Sequence, residues 1–236
     1  VSCLKVVCDT MLIGLGKKLR NFGVDSVILD FSQPHERCVE ISLKEDRRIL
    51  TKDSGYKLLC HKVPPGYCCN IINNKPIHQV VEVLTYFNVT VKKEDVFSRC
   101  QDCNGNELVK VTSTHLQEIM WMCKPKRNIR YNDEFEYDDE YAGFSDESES
   151  FSDLEIPACE SQPRKWPERK FENAAHSYGH GCVTNSGATI ECGSIPFQIF
   201  EKYKIFYVCD SCGHVYWDGS HFDRLIEGGY ANIISD

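Results

Sequence analysis

Two short cysteine pairs constrain this chain most: Cys100-Gln101-Asp102-Cys103 and Cys209-Asp210-Ser211-Cys212. Each CxxC closes a tight turn that aims two thiolates at one ion, and two such knuckles supply the four soft ligands of a closed tetrahedral zinc site. Asn104-Gly105 and Gly213 follow the pairs, where a knuckle turn takes up positive φ. The fold must therefore bring residues more than a hundred positions apart to one point. Zinc at Cys100, Cys103, Cys209 and Cys212 is expected to be structural, because four cysteines leave no open position for a reacting water.

The other cysteines fit an intracellular reading. There are 14 among 236 residues, below the roughly 8 to 10% that marks a disulfide scaffold. No basic leader or cleavage site precedes the first strand-like run, so the expected compartment is cytoplasmic or nuclear. No apolar run approaches the roughly 18 residues that span a bilayer, which predicts no membrane partner. The chain starts at Val1 and enters that first run almost at once, as expected of a piece of a longer protein. Cys3, Cys8, Cys38, Cys60, Cys68 and Cys69 lie in or beside apolar runs and read as small core residues.

Residues 1–98 alternate strand-like and helix-like patterns. Leu4 to Cys8, Ser26 to Leu29, Ile49 to Thr51 and Cys69 to Ile72 read as strands. Between them, Met11, Leu12, Leu15, Leu19 and Phe22 recur at helical spacing, a weaker stripe follows Pro34, a short helix covers Tyr56 to His61, and Ile77, Val80, Val81, Leu84 and Phe87 make an amphipathic helix. This order predicts an α/β domain with a parallel sheet flanked by helices. From Arg99 the texture changes to short β-like pieces: Leu108 to Val111, a helix or strand at Leu116 to Cys123, and Ile205 to Val208 leading into the second CxxC. The expected organisation is an α/β domain over 1–98, a zinc ribbon over 99–124 and 197–236, and an insertion over 125–196.

Charge separates the two halves. Residues 1–130 carry 20 Lys and Arg against 14 Asp and Glu, whereas residues 131–236 carry 7 against 21. Residues 131–163 contain twelve acidic residues and no Lys or Arg, which predicts a solvated, disordered stretch at about 128–165. The nearby His176, His180, Cys182 and Cys192 match no ribbon or finger spacing and read as loop residues.

Asp9 directly follows the first strand, Asp53 follows the third, and Asp25 and Asp30 flank the second. The carboxyl ends of parallel strands share an edge where ligands bind, and carboxylates gathered there repel unless a divalent cation lies among them. Mg²⁺ or Mn²⁺ at such an edge would serve phosphodiester cleavage. Each Asp equally serves as a cap for the helix or turn that follows. Lys17, Lys18 and Arg20 on the first helix, with Arg47 and Arg48 before the third strand, are candidate RNA or DNA contacts, or equally the solvated face of the domain.

Asp9-Thr10-Met11-Leu12, Leu15, Leu19-Arg20, Gly23-Val24-Asp25 and Arg48-Ile49-Leu50-Thr51-Lys52-Asp53 together resemble the Mut7-C domain signature. Arg99-Cys100, Cys103-Asn104, Cys209, Cys212-Gly213, Val215-Tyr216-Trp217 and Gly219-Ser220-His221 are similar to that family's zinc ribbon. The resemblance implies a PIN-like nuclease fold joined to a zinc ribbon and, in animal members, attached to a 3′ to 5′ exoribonuclease domain in the same chain that works in small-RNA pathways. It carries the PIN-like acidic site onto Asp9 and Asp53, less directly onto Asp25, and not onto Asp30 or Glu40. Such a nuclease normally uses three or four carboxylates. The expected function is accordingly an RNA-binding and scaffolding module of an exoribonuclease acting in small-RNA processing or silencing, with a possible protein partner in a silencing complex. The alternatives are a Mg²⁺- or Mn²⁺-dependent ribonuclease using Asp9 and Asp53, and a protein-interaction hub.

Overall fold

The apolar run after Leu4 forms strand β1 (Lys5–Cys8), whose Val6, Val7 and Cys8 are fully buried. A computed structural model describes residues 4–123, 182–217 and 234–235; the acidic stretch expected to be disordered, together with His176 and His180, lies outside the described residues. Helix α1 (Ile13–Asn21) follows, entered through a 3-10 turn at Thr10–Leu12 that Asp9 caps. Then come β2 (Asp25–Ile28), α2 (Arg37–Glu45), β3 (Arg48–Thr51), α3 (Ser54–Leu59), β4 (Cys68–Asn70) and α4 (Pro76–Tyr86). The four strands pair in the order β2-β1-β3-β4, all parallel.

Period-two alternation sorts the side chains between two layers. Val6, Cys8, Leu50 and Cys69 meet Leu15 and Leu19 of α1 and Val80, Val83 and Leu84 of α4. Val7, Ile49 and Cys68 face the other way, onto Cys38 of α2 and Leu59 of α3. Both faces are thus covered, as a parallel sheet requires. The buried thiols behave as core groups, and burial pushes the Cys8 thiol up to about 12.

A short β5 (Val91–Lys92) pairs in parallel with β9 (Ile234–Ser235). The second sheet is antiparallel, in the order β6 (Leu108–Thr112), β7 (Ile205–Cys209), β8 (Val215–Trp217). Helix α5 (Ser113–Cys123), ambiguous in the sequence, continues directly from β6, and α6 (Phe197–Lys202) packs beside it. Their shared core holds Val111, Leu116, Ile119, Phe200, Phe206, Val208 and Val215.

One boundary differs from expectation. Residues 182–196 read as part of the insertion, yet Ile190, Cys192 and Ile195 are buried in this second core, and Glu191 N–H donates to the Gly213 carbonyl at 3.0 Å. Three apolar positions in a Gly-rich stretch give no strand or helix period, so their burial is invisible to periodicity. Among the described residues, no helix is long and apolar enough to cross a membrane.

Candidate functional site

The two CxxC turns are built alike. Cys100 N–H donates to Gly105 O at 2.7 Å and Asn104 N–H to Cys100 O at 3.0 Å; in the second turn Cys209 N–H donates to His214 O at 2.9 Å and Gly213 N–H to Cys209 O at 2.8 Å. The residue after each second cysteine takes positive φ, 69° at Asn104 and 82° at Gly213. At Gly213 a side chain is excluded twice over, because a Cβ there would lie 1.8 Å from the Thr189 carbonyl oxygen. Gly213→Ala should destabilise the fold by well over 1 kcal/mol, and urea unfolding at neutral pH measures it; an unchanged midpoint would contradict this packing.

These turns gather the four sulfurs of Cys100, Cys103, Cys209 and Cys212 within 4.8 Å of one another. Cys100 Sγ lies 3.6 Å from Cys212 Sγ, and Cys103 Sγ 3.5 Å from Cys209 Sγ. A disulfide needs about 2.05 Å, whereas four thiolates around zinc at about 2.3 Å stand about 3.8 Å apart. The spacing fits a metal shell. A hydrogen bond from Cys209 draws the Cys100 thiol down to about 4, the same contact pushes Cys209 up, and burial pushes Cys212 up to about 12. Four thiolates this close need a cation among them, so the cluster can hold a structural metal such as zinc. Tyr216 Oη lies 3.1 Å from Cys100 Sγ and accepts the Gln101 N–H at 3.1 Å, holding the first knuckle from outside the ligand set.

The first knuckle is bonded to the amino edge of the parallel sheet. Arg20, 5% exposed, donates through Nη1 to the Gln101 and Asp102 carbonyls at 2.7 and 2.6 Å and through Nε and Nη2 to Ser26 O at 2.9 and 2.8 Å. Asn104 accepts the Ser26 N–H at 3.0 Å and donates to Asp25 Oδ1 at 2.7 Å. Arg47 also donates to Asp25 Oδ1, at 2.6 Å, and to Glu45 at 2.7 Å. Arg99 Nη2 stands 3.6 Å from Asp25 Oδ2.

Three expectations change here. Arg20 and Arg47, candidate RNA contacts, are buried and spend their guanidinium donors on the chain itself. Asp25, a candidate ligand at the acidic edge, sits opposite Lys5 in the register, about 13 Å along the strand direction from Asp9 at about 3.3 Å per residue. It therefore belongs to the opposite edge. Of the other basic candidates, Lys17 is exposed and pairs with Asp102 at 3.2 Å, Lys18 is half-buried, and Arg48 stacks on Tyr67 at 3.7 Å from the ring centre while pairing with Asp46.

The carboxyl edge holds Asp9, Asp30 and Asp53. Asp9 is 1% exposed. Its Oδ1 accepts the Thr10 N–H at 2.8 Å and lies 2.6 Å from His35 Nδ1, and its Oδ2 accepts the Thr51 hydroxyl at 2.7 Å. Asp53 is exposed, with φ of 52° and its N–H on Asn70 Oδ1 at 3.1 Å. Asp30 accepts the Ser32 N–H and hydroxyl, both at 2.9 Å. Among the described residues, only the four cysteines form a group of three or more ligand side chains close enough to share one ion. Cys182 is disulfide-bonded and Cys192 is buried in the second core, so neither offers a free surface thiolate. His35 escapes sequence reasoning: a lone histidine 26 positions from its partner leaves no pattern.

Comparison with known proteins covers both sheets. The family model described as the Mut7-C RNAse domain matches residues 4–136 and 183–228. The chain is 30% identical over 230 residues to a human protein named exonuclease mut-7 homolog, covering 94% of this chain and 25% of that one. It is 27% identical over 240 residues to exonuclease mut-7 of Caenorhabditis elegans, covering 92% and 26%. The chain thus spans about a quarter of the length of these curated relatives. Because the family model takes in most of the α/β domain and both halves of the cysteine centre, this chain belongs to the Mut7-C RNAse-domain family.

Proposed function

We propose that the chain is an RNA-binding and scaffolding module of a 3′ to 5′ exoribonuclease of the kind used in small-RNA processing or silencing, with zinc held by Cys100, Cys103, Cys209 and Cys212. The observation that carries this reading is the bonding of the first knuckle to the amino edge of the parallel sheet through Arg20 and Asn104. Zinc in this position stiffens one continuous platform and leaves chemistry to another part of a longer protein. Membership in a nuclease-related family and relatives named as exonucleases support RNA as the ligand. A divalent-cation nuclease built on Asp9 and Asp53 has less support, because among the described residues no third ligand side chain stands close enough to both to share one ion.

On this platform, Lys17, Lys18 and Arg48 are the surface cations of the original five, and Arg20 and Arg47 are not contacts. Binding of a fluorescent single-stranded RNA should weaken steeply with salt, and Lys17→Ala combined with Lys18→Ala should reduce the salt slope by about 1.4, at about 0.7 per phosphate contact. Fluorescence anisotropy across a salt series tests this. An unchanged slope would remove α1 from the interface, and no binding at low salt would remove the RNA reading.

A further inference from the structure

The amino edge of the parallel sheet, opposite the edge that holds Asp9, carries a cavity of about 510 Å³, within the roughly 300 to 1,000 Å³ typical of small-ligand sites. Lys5 at the start of β1, Arg48 at the start of β3 and Lys92 in β5 line it, together with the turn that leads from α4 into β5. That turn is fixed. Asn88 takes a φ of 49°, Asn88 N–H donates to Thr85 O at 3.1 Å and Val89 N–H to Leu84 O at 2.8 Å, the two bonds of a Schellman cap. The last carbonyls of α4 that would repel an anion here are thereby partly taken up, and Phe87 and Val89 pack against the first core as an apolar wall.

The cavity's charges are Lys5, Arg48 and Lys92 against Asp46 and Asp95. Asp46 accepts the Tyr67 hydroxyl at 2.7 Å and Arg48 Nη1 at 3.2 Å, and Arg48 also stacks on the Tyr67 ring, so these two charges largely answer each other. Asp95 is 2% exposed, and its carboxylate is withdrawn from solvent. Lys5 and Lys92 are exposed and carry their charge throughout the neutral range. Lys92 stands 3.8 Å from Glu94, a pair between two largely exposed side chains, which is worth little in water. Two solvent-facing cations beside a fixed apolar wall suit a ligand with a phosphate at one end and a flat ring at the other, the pairing of backbone charge and base contact that single-stranded nucleic acids use.

We propose that this amino-edge cavity binds one nucleotide of a single-stranded RNA, with Lys5 and Lys92 at its phosphate and Phe87 and Val89 against its base. The site rests on the RNA-binding reading above and deepens it, because Arg48, one of the surface cations of that platform, is part of the cavity wall. It adds Lys5 and Lys92 as contacts, and no bond is made or broken there. An acidic peptide would satisfy the two lysines but offers no flat ring to the wall of Phe87 and Val89.

The test uses the full zinc-loaded chain and a fluorescent oligouridylate, with affinity read by anisotropy at low salt. Two variants alter the cavity: Lys5→Ala combined with Lys92→Ala, and Thr90→Glu, which keeps both lysines and sets a carboxylate at the cavity wall. Lys5, Thr90 and Lys92 are exposed, so these changes leave the core intact, and equal thermal midpoints check it. Lys57→Ala combined with Lys110→Ala removes the same charge from exposed positions elsewhere. Affinity should fall by about 10-fold or more in each cavity variant and much less in the control pair. Uridine monophosphate should displace the oligomer from the wild type, and ribose 5-phosphate, which lacks the base, should do so about 5-fold or more less effectively. RNA binding that survives both cavity variants, or falls equally in the control pair, overturns this proposal and leaves the RNA-binding reading standing, whereas no binding by the wild type overturns both. Equal displacement by the two phosphates removes the base contact and overturns it. Oligoglutamate that binds more tightly than the RNA and is lost in the same variants would assign the cavity to an acidic protein instead.

Discussion

Cys209→Ser should release the metal and lower the stability of the whole described fold by about 3 kcal/mol or more, because binding at a structural zinc site is folding free energy. For a domain of this size that is a fall of about 6 to 12 °C in thermal midpoint. The loss spreads because Cys209 ends β7 and fixes the second knuckle, while its neighbours in the sulfur cluster, Cys100 and Cys103, bracket the carbonyls that Arg20 holds. Once the first knuckle loosens, Arg20 keeps Ser26 but loses the Gln101 and Asp102 carbonyls, and a buried guanidinium is left short of acceptors. Amide hydrogen exchange should consequently rise in α1 and β2 as well as in the ribbon. Elemental analysis of the wild type gives the first check: folded protein without zinc sinks the claim. Exchange confined to residues around the cysteines would show that Arg20 does not couple the two parts.

The parallel sheet and its helices were legible because each depends on local periodicity. Val6 and Cys8 against Val7 is a period of two, and Leu12, Leu15 and Leu19 make a helical stripe. The cysteine centre was legible for a related reason: a CxxC turn is written within four residues, and only the meeting of the two turns is long-range. Charged side chains carry no such local mark. Arg20 lies beside Lys17 and Lys18 in the sequence and reads as part of a basic surface, but its acceptors stand 81 and 82 positions away. Asp25 precedes the second strand, yet it reads with Asp9 as one of a set of strand-flanking carboxylates until the register puts it opposite Lys5, at the other edge of the sheet. The same blindness hides His35, whose meaning comes wholly from Asp9. Composition reports that cations are abundant, and the fold decides which of them reach solvent.

Asp25 should make stability fall in acid. Burial raises its carboxyl pKa, but hydrogen bonds from Arg47 and Asn104 and the charges of Arg47 and Arg99 outweigh burial and hold it below the usual carboxylate range. In the unfolded chain Asp25 returns to about 3.9. The folded state therefore binds fewer protons between the two values, and the stabilisation is complete above the unfolded pKa and is lost as pH falls through the depressed folded one. At pH 7, Asp25→Ala leaves Arg47 and Arg99 facing an emptied site and should cost about 3 to 5 kcal/mol, the usual result of removing one partner of a buried pair. Asp25→Asn keeps an acceptor for Arg47 and should cost less. Unfolding in urea at pH 7 and at stepwise lower pH, with wild type and variants compared by difference, cancels the other titrating groups, the clustered cysteines among them. The gap between wild type and Asp25→Ala should narrow below about pH 4. A gap that stays constant would mean that the packing of Asp25, rather than its charge, joins the knuckle to the sheet.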